Sequence, residues 1–128
     1  MKLFTQEQHA RLLKNGSPEQ TEEDHLPVVK WFTPDASCTW LITELVDEET
    51  AFGLCDLGMG CPELGYISVE EIKTVRGKLG LPIERDRFFE AKHPLSVYFE
   101  AAKLKERITE NETELQQAEA CLKNNIKL

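Results

Sequence analysis

The sequence predicts an α+β fold: an antiparallel meander of four or five strands, one inserted helix, a short N-terminal helix and a longer C-terminal helix. Three observations predict it. Residues 26–57 hold three runs of β-branched, aromatic and aliphatic residues separated by short polar turns, the pattern of neighbouring antiparallel strands. Residues 63–77 pass from an extended run into a capped run with helical spacing. From Ala101 onward apolar side chains recur three and four residues apart. Residues 1–100 then form one α+β domain, and residues 101–128 a helical extension with heptad-like spacing.

Taken in order, Thr5 to Gln8 reads T-x-x-Q, a capping box preceded by Phe4. A short helix follows to Lys14, with Leu12 and Leu13 as its apolar contacts and Asn15-Gly16 as its stop. SPEQTEEDH, residues 17–25, reads as a mobile linker or exposed loop. LPVVKWF at 26–32 is a strand with Val28, Lys30 and Phe32 on one face and Val29 and Trp31 on the other. TPDAS turns the chain, CTWLITELV at 38–46 returns it, and Asp47-Glu48-Glu49 forms an acidic tip before AFGLCDL at 51–57. The near-continuous apolar character of these two strands predicts a sheet covered on both faces.

After an extended Leu64–Ile67, Ser68-x-x-Glu71 caps a helix to about Arg76, with Val69, Ile72 and Val75 on one face and Gly77 or Gly80 ending it. LPIERDRFFEA at 81–91 reads as a last strand. Charges on both of its faces mark it as an edge. Pro94 opens the final helix, whose seam is Ala101, Leu104, Ile108, Asn111, Leu115, Ala118 and Leu122. Asparagine in such a seam can set coiled-coil register, so Leu104, Ile108, Asn111, Leu115 and Leu122 are candidates for self-association or partner docking.

The net charge of −8 belongs to residues 1–90, which hold 9 Lys and Arg against 17 Asp and Glu; residues 91–128 hold 6 of each. That balance disfavours binding along a double-stranded DNA backbone, which needs clustered cations. It favours a basic protein partner, with Asp47, Glu48, Glu49, Asp56 and Glu63 as the candidate acidic face. No apolar run approaches the roughly eighteen residues of a membrane helix, and MKLFTQEQHARLL has no apolar core of a signal peptide. The expected compartment is the cytoplasm, where Cys38, Cys55, Cys61 and Cys121 stay reduced as small apolar fillers.

The chemistry hinges on FGLCDLGMGCPELGYIS at 52–68. Gly53 is followed by LCDL, Gly58 and Met59, with no lysine or hydroxyl to make a phosphate loop. Cys55 and Cys61 lack both the C-x-x-C spacing and a nearby histidine that zinc needs. Neither a cofactor nor a metal is implied. The stretch reads as a corner: Gly58 and Gly60 permit positive φ, Pro62 leads into the next strand, and Gly53 and Gly65 mark bulges or close backbone approach. Asp56 and Glu63 are expected to bond loop amides or to face a partner. Two other readings stay open. Lys30, Trp31, Arg85 and Arg87 could form an aromatic and basic patch for single-stranded nucleic acid. Asp56, Glu63 and Glu84 could form a small enzyme's carboxylate site if they converge.

LPVVKWFTPDA at 26–36, TWLITEL at 39–45, AFGLCDLGMGCPELGYIS at 51–68 and GLPIERD at 80–86 resemble a bacterial family known only as a domain of unknown function. The resemblance covers about residues 1–100. It implies a setting, plasmids and integrative elements near conjugation, DNA-processing and antirestriction genes, and it carries over no catalytic residue. The expectation is a non-enzymatic accessory protein that acts by protein binding.

Overall fold

A computed structural model describes residues 2–126. The expected α+β architecture is present. In chain order the elements are α1 (Gln6–Asn15), β1 (Val29–Phe32), β2 (Thr39–Asp47), β3 (Thr50–Asp56), β4 (Glu63–Ser68), α2 (Val69–Thr74), β5 (Glu84–Arg85), α3 (Leu95–Lys105) and α4 (Glu112–Ile126). The strands form one antiparallel sheet in the order β4-β3-β2-β1-β5.

Both faces of the sheet are covered, as the unbroken apolar strands require. On one face Val29, Trp31, Trp40, Ile42, Leu45 and Ala51 pack with Leu12 of α1, Val69 and Ile72 of α2, and Ile83. On the other, Leu41 and Leu54 pack with Leu95, Val97, Tyr98, Ala101 and Ala102 of α3 and with Leu115 and Ala118 of α4. Strict alternation would put Leu45 opposite Ile42. A β-bulge between Ile42 and Glu44 shifts the parity and returns Leu45 to the first core.

Local chemistry sets the helix starts. Thr5 and Gln8 exchange both hydrogen bonds of the capping box, and Ser68 Oγ accepts the amide of Glu71. Asn15 does more than stop α1: its buried amide group donates to the Thr43 carbonyl at 2.9 Å and ties the helix to β2.

Three expectations are corrected. First, the last strand is not 81–91; only Glu84–Arg85 pairs with β1, because Asp86 Oδ1 accepts the Phe88 amide and turns the chain. Second, residues 17–25 are exposed but not a free linker. Thr21 Oγ1 donates to the buried Glu44 at 2.6 Å, Asp24 accepts the Ser96 amide at the start of α3, and the Leu95 amide donates to the His25 carbonyl. Third, the C-terminal helical region is two helices. Glu106 adopts a left-handed conformation (φ 60°), and its amide and that of Arg107 both return to the Ala102 carbonyl. Asn111 Oδ1 then accepts the Glu114 amide and starts α4, so the expected register asparagine is a cap. His93, 8% exposed, fastens α4 from below through Glu112 at 2.8 Å. Lys127 and Leu128, the end of the expected extension, lie outside the described residues.

Candidate functional site

The β2–β3 hairpin is the first candidate. Its last pair is Asp47 with Thr50, and Asp47 Oδ1 accepts the Glu49 amide at 2.8 Å, which fixes the turn. The Val69 amide donates to the Glu49 carbonyl at 2.9 Å and seats the first turn of α2 on the tip. Asp47, Glu48 and Glu49 therefore share one end of the sheet with Glu70 and Glu71, and all are exposed. His9 meets Glu48 at 2.7 Å and Lys73 meets Glu70 at 3.0 Å, so two cations stand at the edge of the cluster. The sequence reading missed Glu70 and Glu71. The capping box already placed them at a helix start, where the macrodipole favours acidic groups. Their juxtaposition with the tip depends on the return of β4 along β3.

Asp56 and Glu63 do not join that face. Ser68 pairs with Thr50 beside the tip, and Glu63 pairs with Cys55 at the other end of the hairpin, roughly 17 Å away for five residues of strand. Asp56 is 5% exposed. Its Oδ1 accepts the Gly58 amide at 2.8 Å and its Oδ2 the Ile108 amide at 2.9 Å. It binds loop amides, one of the two roles foreseen, and cannot face a partner. The carboxylate site also fails to form: Glu63 lies on β4 and Glu84 on β5, the opposite edges of the sheet, roughly 19 Å apart across four strand spacings.

The glycine stretch is a corner. Gly58 and Gly60 have φ of 77° and 84°, where only glycine sits without strain. Gly53 answers the expectation of close approach, since a Cβ there would stand 2.0 Å from the Leu41 carbonyl oxygen. The corner also pushes side chains outward: Leu57, Met59 and Cys61 are exposed, and with Leu64, Gly65 and Tyr66 of β4 they line one shallow groove that also reaches Cys55 and Ile67.

The aromatic and basic patch is not built as expected. Trp31 has no exposed surface, and its indole N–H donates to the Leu3 carbonyl at 2.6 Å; it cannot stack on a base. Lys30 is held between Asp86 and Glu110. Arg85 donates to the Lys2 carbonyl at 2.8 Å. Lys30, Arg85 and Arg87 do share a groove, but its exposed aromatic is Phe88, which no periodicity singled out.

A family model described as a protein of unknown function (DUF2958) matches residues 3–109. The chain belongs to this family. No curated protein and no solved structure matches it. The DUF2958 match ends at Thr109, inside the link between α3 and α4, so the sheet, its corner and the acidic tip all fall within it and α4 lies beyond it. The proposed helix seam divides at the same place. Leu104 is exposed on α3, Ile108 lies half-buried in the link, Leu115 is buried under the chain's own sheet and Leu122 is half-buried on α4. Together with the capping Asn111 they make no single stripe for a second helix.

The four cysteines also separate. Cys38 and Cys55 are half-buried and fill space as expected, whereas Cys61 and Cys121 are exposed. Burial pushes the Cys55 thiol up from its ordinary value; a hydrogen bond with Trp40 opposes this, and Cys38, Asp56 and Glu63 add to it. A thiol so placed is a poor nucleophile at neutral pH. Alkylation of the native chain is expected to label Cys61 and Cys121 first, with Cys55 at least tenfold slower, read by peptide mass mapping over time. Equal rates at Cys55 and Cys61 would contradict this environment.

Proposed function

We propose that this DUF2958 chain is a non-enzymatic accessory protein of a mobile genetic element, acting by binding a basic, DNA-associated protein through its acidic tip. One observation carries the reading: Asp47, Glu48, Glu49, Glu70 and Glu71 are gathered, exposed, on one end of the sheet, and among the described residues His9 and Lys73 are the cations paired at its edge. The surplus charge of the chain has a focus there. Such a focus speeds and orients the encounter with a cationic surface more than it deepens affinity. The mobile-element setting is what the family resemblance implies. The cytoplasm is the compartment in which such a partner would be met.

The experiment is capture from host lysate at low and at high ionic strength, with the native chain and with a Glu49→Gln, Glu71→Gln variant. Among the described residues neither side chain makes a hydrogen bond or ion pair, so the variant keeps its stability. A basic protein retained at low salt, released at high salt and associating roughly tenfold more slowly with the variant is the expected result. Capture indifferent to both salt and variant overturns the acidic tip as the binding surface.

A further inference from the structure

The two edges of the sheet are built differently. The β5 edge is two residues long, follows Pro82, and is surrounded by Glu84, Arg85, Asp86 and Arg87, the usual means of keeping an edge from pairing. The β4 edge also follows a proline, Pro62, but it is six residues long and carries one charge, Glu63. Among the described residues no strand lies on its outer side, and Tyr66 is 71% and Leu64 39% exposed. Leu57 at 54% and Met59 at 77% exposure extend the apolar surface around the glycine corner. Leu57, Met59, Leu64 and Tyr66 border one groove, and exposed apolar side chains grouped in this way mark interaction sites.

The apolar rows of the sheet end abruptly there. Leu41, Leu54 and Leu64 stand opposite one another across β2, β3 and β4, and the row stops at Leu64. Phe52 stands opposite Tyr66, with ring centroids 5.1 Å apart, and that row stops at Tyr66 with most of the ring in solvent. A second β4 laid antiparallel, with its two-fold axis at Gly65, continues both rows. Leu64 of one copy meets Tyr66 of the other on the same face, twice by symmetry, an aliphatic–aromatic pair of the stabilising kind. Glu63 falls opposite Ile67, not opposite Glu63, so the only charge on the strand is not set against itself. At the axis Gly65 meets Gly65, so no side chains face each other there.

We propose that β4 is a self-association edge, pairing with β4 of a second copy of this chain through Leu64 and Tyr66 to make one continuous ten-stranded sheet, with Leu57 and Met59 flanking the junction. A second copy is the favoured occupant because one two-fold register at Gly65 sets Leu64 against Tyr66 twice and keeps the two Glu63 side chains from facing each other. It does not rest on the acidic tip. Two copies of net charge −8 repel at long range, so pairing along the neutral edge strengthens as salt rises, opposite to the behaviour of a tip that binds a basic partner.

The test is the molar mass of the full chain by light scattering from micromolar to millimolar concentration, at low and high salt. The expected result is a rise from 14.6 kDa toward twice that mass, steeper at high salt. Leu64→Lys places a cation on the edge and is expected to hold the chain monomeric with an unchanged circular dichroism spectrum. If that variant misfolds, amide exchange of the native chain decides instead: protection at residues 64–67 rises with concentration while that of Leu41 and Ile42 stays constant. A native chain monomeric at every concentration, a dimer as strong in a folded Leu64→Lys variant, or edge amides whose protection is independent of concentration each overturns the proposal, and the first would leave the edge to a different partner.

Discussion

Trp31→Ala is expected to leave the chain at the margin of folding. Trp31 is the largest fully buried side chain, central in β1 between Trp40 of β2 and Arg85 of β5. Truncating a buried aromatic to alanine costs about 3–5 kcal/mol, since the transfer energy and the cavity left behind add. A domain of this size has a total stability of about 5–15 kcal/mol, so the loss removes at least about a fifth of it and, at the low end of that range, nearly all. Trp31 also holds the N-terminal segment, through the Leu3 carbonyl at 2.6 Å and a tilted ring contact with Phe4 at 6.5 Å. Losing those contacts frees the segment that leads into α1. Trp31→Phe separates the two effects: it keeps a ring in the core but drops the N–H, and leaves the Leu3 carbonyl without that donor, for about 1–2 kcal/mol. Chemical unfolding followed by circular dichroism measures both. If Trp31→Ala unfolds at the same denaturant concentration as the native chain, the indole is not in the core, and a solvent-facing stacking role for it reopens.

The same residue shows where sequence reading reached and where it stopped. The alternation in LPVVKWF correctly grouped Trp31 with Val29, on the first core. What alternation cannot say is which face is solvated, and here neither is, so a tryptophan beside a lysine looked like a stacking platform. The capping box at Thr5, the corner at Gly58 and Gly60, and the close approach at Gly53 were all legible, because each is a local backbone requirement written in adjacent residues. The division of the C-terminal helix was not. A three- and four-residue apolar spacing is shared by one long helix and by two helices folded onto the same core. Ile108 and Thr109 interrupt the run only weakly, and the decisive interaction comes from β3, more than fifty positions earlier, where Asp56 takes the Ile108 amide. The acidic face was half legible for the same reason. Asp47, Glu48 and Glu49 are neighbours in sequence, whereas Glu70 and Glu71 reach them only through strand pairing, and Asp56 is turned inward by amides that no spacing could place around it.

That inward turn makes Asp56 the second position of large effect. Its carboxylate joins three parts of the molecule: the end of β3 that carries it, the glycine corner through Gly58, and the α3–α4 link through Ile108. Both bonds pair a backbone amide with an ionised group, which makes them stronger than neutral ones. Asp56→Ala removes the shared acceptor and leaves the amides of exposed Gly58 and half-buried Ile108 without it, at about 1–2 kcal/mol each. The expected loss is about 2–4 kcal/mol, and it should be uneven. With Ile108 released, the link no longer holds α4 against the sheet, so amide exchange at Leu115 and Ala118 should quicken well beyond that at Leu41 and Leu54, although all four side chains belong to one core. Asp56→Asn retains one acceptor oxygen and presents a donor where the second acceptor stood; it should protect one of the two amides and recover part of the loss. A uniform drop in protection across α4 and β2 would mean that Asp56 supports the fold as a whole and does not clasp the link. A variant with native stability would mean that water or another acceptor serves Gly58 and Ile108 equally well, and the α3–α4 hairpin would then be held by its apolar contacts alone.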